Sequence, residues 1–140
     1  MNAGPAPTMT PRIGCDVVTV ADVARSIDLF GDRYLRRVFT PHELSVCTGA
    51  GRVQRLAARF AAKEAVMKVL RPRDDAIPWR SIEIRRAPWG GCAVHLDGNA
   101  AARASDEQLT DFQVSLSHEP DYAFATVAAT RTAVTEREQA

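Results

Sequence analysis

The chain has 140 residues, 46% of them hydrophobic and 25% charged, which fits one globular domain because two cores would each be too small. A formal net charge of +1 provides no general attraction for nucleic acid or an anionic membrane, and no apolar run reaches the roughly 20 residues of a membrane helix. Residues 1–11 lack the charged and apolar regions of a signal peptide, so we expect a cytoplasmic protein.

The composition changes at both ends of the chain. Residues 1–11 are rich in Pro, Ala and Gly and are predicted to form a flexible lead-in, and residues 131–140 a polar tail. Between them, residues 12–130 contain no repeat or linker and are predicted to form the domain. Its cysteines are odd in number and widely separated, which favours packing roles over disulfides or a zinc site. They are Cys15, Cys47 and Cys92.

The first half of the domain predicts one strand and three helices. Residues 12–18 are β-branched and apolar apart from one acid, which is typical of a short strand, and a helix follows from Thr19 to about Phe30. The sequence Thr40-Pro41-His42-Glu43 has the residues of a capping box, with proline at the first helical position. Residues 52–70 have no interior Gly or Pro and predict the longest helix.

The second half predicts mainly antiparallel strands. Residues 81–86 and 92–96 alternate around the sequence APWGG, which indicates a hairpin, and a short helix follows. Residues 112–116 and 122–128 predict a final pair of strands. Because helices and antiparallel strands are interspersed, the predicted class is α+β.

The long helix carries charged residues within and beside its apolar arc. At about 100° per residue, Lys63 falls inside that arc and Arg59 towards its edge, while Glu64 and Lys68 lie on one flank. The arc, roughly 120° wide, contains Leu56, Phe60, Val66, Met67 and Leu70.

Two interpretations of these charges remain open. In one, Glu64 and Lys68 form an i,i+4 ion pair on the surface and Lys63 extends its ammonium out of the core. In the other, an anion meets Lys63, because an unpaired cation among apolar groups costs several kcal/mol. Of the 18 lysine and arginine residues, only Lys63 and Lys68 are lysines. A compact ammonium suits a tight phosphate site.

Asp16 and His118 also have two interpretations each. Asp16 either alternates towards solvent or points towards Glu64, in which case two carboxylates converge and suit Mg²⁺ together with phosphate oxygens. His118 ends a strand, where its ring either makes a structural hydrogen bond or projects into a cleft. The chain has none of the phosphate-loop, GxGxxG, HExxH or GxSxG motifs, which excludes the usual nucleotide-binding and hydrolase sites.

Three motifs point to a family: IGCDVV near the start, FTPHEL followed by RFAAKEAVMKVL, and VSLSH near the end. In order and spacing they resemble the holo-acyl-carrier-protein synthase group of 4′-phosphopantetheinyl transferases, over residues 12–129. The resemblance implies that family's fold, with antiparallel strands packed on one long central helix. It also implies transfer of the phosphopantetheine arm of coenzyme A to a serine of an apo-acyl carrier protein, with release of adenosine 3′,5′-bisphosphate.

The resemblance further implies roles for particular residues. Asp16 and Glu64 would bind Mg²⁺ with the diphosphate of coenzyme A, and Lys68 would neutralise or protonate the departing phosphate. A water held by the metal or by Glu64 is the candidate base. Short members of the family are homotrimers with active sites between protomers. The residues implied to hold the coenzyme are Arg59, Lys63, Lys68, Ser117 and His118.

The chain departs from the family pattern in two places. Many relatives have an arginine in the first helix that faces the acidic carrier, and Asp22 stands at that position here. Arg25, one turn later, is the candidate replacement, unless the carrier differs. The hairpin has Gly90-Gly91-Cys92 where relatives tend to have Gly-x-Pro. One alternative function is a module of the same fold that binds coenzyme A or a carrier without catalysis. The presence of Asp16, Glu64 and Lys68 argues against it. A purely structural trimer is a second alternative, but it would leave the positions of both lysines unexplained.

Overall fold

The computed structural model describes residues 4–74 and 76–133. Helices and strands are interspersed in it, as the sequence predicts, so the α+β class is confirmed. The elements in chain order are β1 (Thr8–Thr19), α1 (Val20–Phe30), α2 (Asp32–Val38), α3 (Pro41–Val46), α4 (Arg52–Leu70), a 3₁₀ turn (Trp79–Ser81), β2 (Ile82–Arg86), β3 (Cys92–Leu96), α5 (Gly98–Asp106), β4 (Leu109–His118) and β5 (Tyr122–Ala133).

The strands form two antiparallel sheets. One has the order β1-β5-β4 with β5 in the centre, and the other is the β2–β3 hairpin, whose strand β3 lies against β4. Helix α4 packs across the inner face of the three-stranded sheet, which confirms the long central helix. Both surfaces of this contact are rich in small residues, so the helix and sheet approach closely. These residues are Ala58, Ala61, Ala62, Ala65, Ala123, Ala125 and Ala129.

Gly14 sets the distance between β1 and α4. A Cβ atom at this position would lie 2.4 Å from the carbonyl oxygen of Ala65 and 3.0 Å from Cβ of Lys68. No side chain therefore fits where the strand crosses the helix. Because Asp16 follows two residues later on the same face of β1, this close crossing brings its carboxylate beside α4.

Two arginines from other elements stabilise the C-terminal end of α4. Arg12 of β1 donates to the carbonyl of Val69 at 3.3 Å, and Arg103 of α5 donates to that of Leu70 at 3.0 Å. Glu107 accepts from Arg12 at 3.2 Å and forms an ion pair with Arg103. The last carbonyls of a helix have no partner within the helix, so these contacts satisfy them and join three elements.

The structure differs from the predicted boundaries in several places. Strand β1 begins at Thr8 because Thr8–Pro11 pair with residues 130–133 of β5, so the flexible lead-in cannot extend to residue 11. Residues 131–133 accordingly belong to β5 rather than to a polar tail, and residues 134–140 lie outside the described residues. Helix α2 was not predicted, and Thr19 makes no side-chain capping bond to α1. The capping box of Thr40 and Glu43 is confirmed.

No helix within residues 4–74 and 76–133 combines the length and apolar character needed to cross a membrane.

Candidate active site

Asp16, Glu64 and Lys68 come together where β1 crosses α4. The ammonium of Lys68 donates to Asp16 Oδ1 at 3.1 Å and to the carbonyl of Cys15 at 2.8 Å. Burial raises the pKa of Glu64, and the neighbouring charge of Asp16 raises it further, while Lys68 acts in the opposite direction. Of the two interpretations of Asp16, the structure therefore supports the one in which the two carboxylates converge.

The donor set at this point fits Mg²⁺. In the part of the chain that the structure describes, no group of three or more His, Cys, Asp and Glu side chains is placed to hold a metal ion. The protein thus offers only a pair of carboxylates, which still repel each other as the pKa of Glu64 indicates. Mg²⁺ binds through one or two carboxylates and takes its other ligands from water and substrate phosphate, which suits such a pair.

Tyr34 of α2 lies close to this group and was missed by sequence reasoning. Burial raises its pKa to about 12, and the charge of Glu64 contributes in the same direction. The phenol therefore stays protonated at neutral pH and is a hydrogen-bond donor on the Glu64 side of the helix. No motif in the sequence indicated Tyr34, because α2 itself was not predicted.

Lys63 has a different partner from the one that the sequence predicted. Its side chain is 0% exposed, and its ammonium lies 2.7 Å from Oε1 of Glu43, which is also fully buried. It donates in addition to the carbonyl oxygens of Trp79 and Ile82. Desolvation lowers the pKa of Lys63, and the Glu43 carboxylate counters this effect. The anion that a buried Lys63 requires is thus a protein side chain, which corrects the prediction that Lys63 meets the diphosphate.

Arg59 and His118 line a cavity of about 750 Å³ at the other edge of the sheet, between α3, α4, β4 and the β2–β3 turn. Arg59 is only 8% exposed, and its Nε has no hydrogen-bond partner among the described residues. A buried guanidinium with an unpaired donor fits an anionic ligand. The basic and aromatic side chains that line the cavity are His42, Arg55, Arg59, Arg86, Trp89 and His118.

Ser117 does not share this cavity. It neighbours His118 on β4, and adjacent strand residues point to opposite faces of the sheet. Its register partner is Phe124 of β5, which is exposed on the outer face. The structure therefore separates two residues that the sequence predicts to hold the same coenzyme.

Arg25 lies exposed on α1, beside a surface that combines apolar and basic residues. Leu29 and Phe30 are exposed at the end of the same helix. Phe30 also lines a second cavity of about 430 Å³ together with Arg33 and Arg37 of α2.

The two groups of site residues lie on opposite flanks of α4. Lys68 follows Arg59 by nine residues, which corresponds to a rotation of about 180° around the helix axis. Asp16 is on β1 and His118 on β4, and these strands form the two edges of the sheet. Within one chain, the carboxylate pair and the basic cavity therefore lie on different sides of α4.

The outer face of the sheet, away from α4, exposes large apolar side chains. Val17 of β1 pairs with Phe124 of β5, so the two side chains stand next to each other on this face. Exposed apolar patches of this kind are typical of surfaces that bind another protein. The exposed residues of the patch are Met9, Ile13, Val17, Tyr122 and Phe124.

Comparison with known proteins identifies the family. The sequence model described as "4'-phosphopantetheinyl transferase superfamily" matches residues 12–127, so the chain belongs to that superfamily. Among curated proteins it is 40% identical to the holo-[acyl-carrier-protein] synthase of Koribacter versatilis over 116 residues, 81% of this chain and 93% of the relative.

Solved structures show the same fold. The holo-[acyl-carrier-protein] synthase of Neisseria meningitidis superposes with a TM-score of 0.73 at 30% identity, covering 84% of this chain and 96% of that one. The ACPS–CoA complex of Chronobacterium ammoniagenes superposes with a TM-score of 0.74 at 27% identity, covering 91% of this chain and 99% of that one. The predicted family and fold are confirmed.

Proposed function

We propose that this phosphopantetheinyl transferase is a magnesium-dependent holo-acyl-carrier-protein synthase. It transfers the 4′-phosphopantetheine arm of coenzyme A to a serine of an apo-acyl carrier protein and releases adenosine 3′,5′-bisphosphate. The observation that carries the proposal is the convergence of Asp16, Glu64 and Lys68 at the crossing of β1 and α4. Relatives that carry this function in their names share about 40% of the sequence.

In the proposed mechanism, Asp16 and Glu64 hold Mg²⁺, which when bound offsets the negative charge of the coenzyme diphosphate. Lys68 neutralises the phosphate that departs with the adenosine, and its contacts with Asp16 and the Cys15 carbonyl fix the position of the ammonium. Glu64 orients a water that takes the proton of the carrier serine as it attacks the β-phosphorus, and the Glu64 carboxylate accepts a proton from that water in turn. Lys63 has no direct part, because its ammonium is occupied by Glu43.

The coenzyme spans two subunits in this proposal. Its diphosphate lies at the Asp16–Glu64 pair of one protomer, and its nucleotide lies in the cavity of Arg59 and His118 of a neighbour. Both halves of the site are needed, and they lie at opposite edges of one chain. An interface that joins the β1 edge of one copy to the β4 edge of the next is heterologous, and it closes into a ring of three when each copy is rotated by a third of a turn. We propose a homotrimer, in which copies also cover the apolar outer face.

The carrier protein is the second substrate. We propose that it docks on the surface of α1 and α2, where exposed Phe30 adjoins Arg33 and Arg37 and where Arg25 is exposed on α1. Arginine side chains recognise carboxylates through paired hydrogen bonds, so this surface suits an acidic carrier.

Ser117 lies on the outer face of the sheet, outside the basic cavity. We propose that it contacts a coenzyme whose other contacts come from a neighbouring protomer. The expected compartment is the cytoplasm.

The test of the function is to incubate the protein with coenzyme A, Mg²⁺ and apo-acyl carrier proteins, and to weigh the carriers by mass spectrometry. A mass gain equal to phosphopantetheine on the carrier serine is the expected result. We expect no mass gain when a chelator is present or when Asp16→Ala replaces the parent protein. Either result would show that the reaction depends on the carboxylate pair and its metal. A protein that binds coenzyme A but modifies no carrier is the non-catalytic module.

A further inference from the structure

Trp89 occupies an unusual position in the turn between β2 and β3. Its side chain is 75% exposed, although it lines the basic cavity. The outer edge of the indole contacts Gly91, where an added Cβ would be 1.8 Å from Cη2. Any side chain at position 91 would therefore displace the ring. The turn is closed by hydrogen bonds from Gly90 N to the Ala87 carbonyl and from Ala87 N to the Gly91 carbonyl.

Packing within the protein does not account for Trp89. The ring belongs to none of the buried clusters of the domain. The other tryptophan, Trp79, behaves in the ordinary way: it packs against Phe60 with 5.5 Å between ring centroids. An exposed indole buries little apolar area, so it stabilises the fold only weakly. The large exposed fraction instead leaves most of the ring surface accessible at the cavity.

The surroundings of the ring define the ligand that would cover it. Arg55, Arg59 and Arg86 line the same cavity and supply positive charge for phosphate. A ligand that combines phosphates with a flat π-system meets both features. In coenzyme A only the adenine has such a face, since the pantetheine arm is a linear chain.

We propose that the adenine of coenzyme A stacks on the ring of Trp89, and that the contact between the indole and Gly91 fixes the orientation of the ring. This inference rests on the proposed function for the identity of the nucleotide. Trp89 then determines affinity for the nucleotide end of the coenzyme and has no part in the transfer itself. Aromatic–base stacking of this kind changes binding by about 5- to 150-fold per base on removal of the ring.

The test is calorimetric titration of the full-length protein with two fragments of the coenzyme, adenosine 3′,5′-bisphosphate and 4′-phosphopantetheine. We expect Trp89→Ala to weaken binding of the first fragment by about 10-fold or more and to leave the second unchanged. Trp89→Phe should restore most of the loss, because a smaller ring still stacks. Gly91→Ala keeps the indole but displaces it, so it should also weaken binding of the nucleotide fragment.

Steady-state kinetics provide the second measurement. Trp89→Ala should raise KM for coenzyme A and leave kcat unchanged at saturating coenzyme. The proposal is overturned if Trp89→Ala binds adenosine 3′,5′-bisphosphate as the parent protein does, if both fragments are weakened equally, or if the parent protein binds no nucleotide fragment. A parent protein that binds this fragment through Trp89 but modifies no carrier supports the stacking on Trp89 and contradicts the proposed function instead.

Discussion

The ammonium of Lys63 lies 2.7 Å from the carboxylate of Glu43, and neither side chain has any exposed surface. Glu43 also accepts hydrogen bonds from the amide of Thr40 at 2.9 Å and the amide of Ile84 at 3.0 Å. One carboxylate therefore joins the start of α3, the middle of α4 and strand β2. Since His42 of α3 and Arg59 of α4 line the basic cavity, the buried pair also holds two walls of that cavity together.

Removing one partner of this pair should strongly destabilise the fold. Lys63→Met leaves the Glu43 carboxylate buried without its counter-ion, which costs about 3–5 kcal/mol of unfolding free energy. The matched control is Lys68→Met, on the same helix but with a side chain 54% exposed, for which we expect a change within about 0.5 kcal/mol. Denaturant titration measures both. Equal losses in the two variants would contradict a special role for the buried pair.

Asp16 and Glu64 should be required for transfer but not for folding. Asp16→Ala or Glu64→Ala removes half of the carboxylate pair, and we expect carrier modification to fall below detection while the melting temperature stays within a few degrees. A ligand that binds only the folded state raises its stability, so Mg²⁺ with coenzyme A should raise the melting temperature of the parent protein more than that of either variant. An unchanged rate in a chelator would rule out the metal assignment.

Lys68 should act in the chemical step. Lys68→Arg has room for the larger head group because the side chain is half exposed, so we expect a folded enzyme with a reduced kcat. Lys68→Ala removes the charge and should reduce kcat further, by about 100-fold or more, as is usual when one stabilising group is lost from a transition state. Single-turnover kinetics at saturating coenzyme A test this. A Lys68→Ala enzyme with unchanged turnover would exclude the role.

Two inactive variants should restore activity when their subunits are mixed. Glu64→Ala damages the β1 edge of the site and Arg59→Ala the β4 edge, and these edges lie on opposite sides of one chain. If each active site joins edges from two protomers, subunit exchange creates some sites with both edges intact. Recovery of carrier modification after unfolding and refolding the mixture is the expected result. A mixture that stays as inactive as its parts would place the whole site in one subunit.

Oligomer formation itself can be tested on the apolar outer face. Phe124→Asp puts a charge at the centre of the exposed patch, beside Val17, and should convert the proposed trimer to monomers in sedimentation experiments. Leu29→Asp is the control, since Leu29 is also an exposed apolar residue but lies on α1. A parent protein that sediments as a fully active monomer would contradict the shared site.

The Arg12–Glu107 contact should make stability depend on pH in the acidic range. Burial alone would raise the pKa of Glu107, but the hydrogen bond from Arg12 and the charge of Arg103 outweigh it and lower the pKa below its usual value. A carboxyl with a lowered pKa in the folded state stabilises the fold above its unfolded pKa and loses that contribution as the pH falls through the folded value. The parent protein should thus be more stable than Glu107→Gln at pH 7, and the difference should disappear towards pH 3.

Much of this protein could be predicted from local sequence signals. The bounds of α4 followed from a run of strong helix formers between Gly51 and Pro72, and the capping box of Thr40 and Glu43 from residue types at fixed spacing. Such features depend on contacts between residues three or four positions apart, which the order of the sequence specifies. The family followed in the same way, from the motif RFAAKEA.

The tertiary structure alone decided what each charged residue meets. The sequence placed Lys63 in the apolar arc of α4, but only packing of α3 and β2 against that arc brought Glu43 to it, across 20 positions of the chain. Likewise, Asp16 faces Glu64 because Gly14 lets β1 cross close to α4. Helical periodicity determines in which direction a side chain leaves its own helix. The residue that the side chain contacts belongs to another element, and its identity depends on how the sheet and the helices pack together.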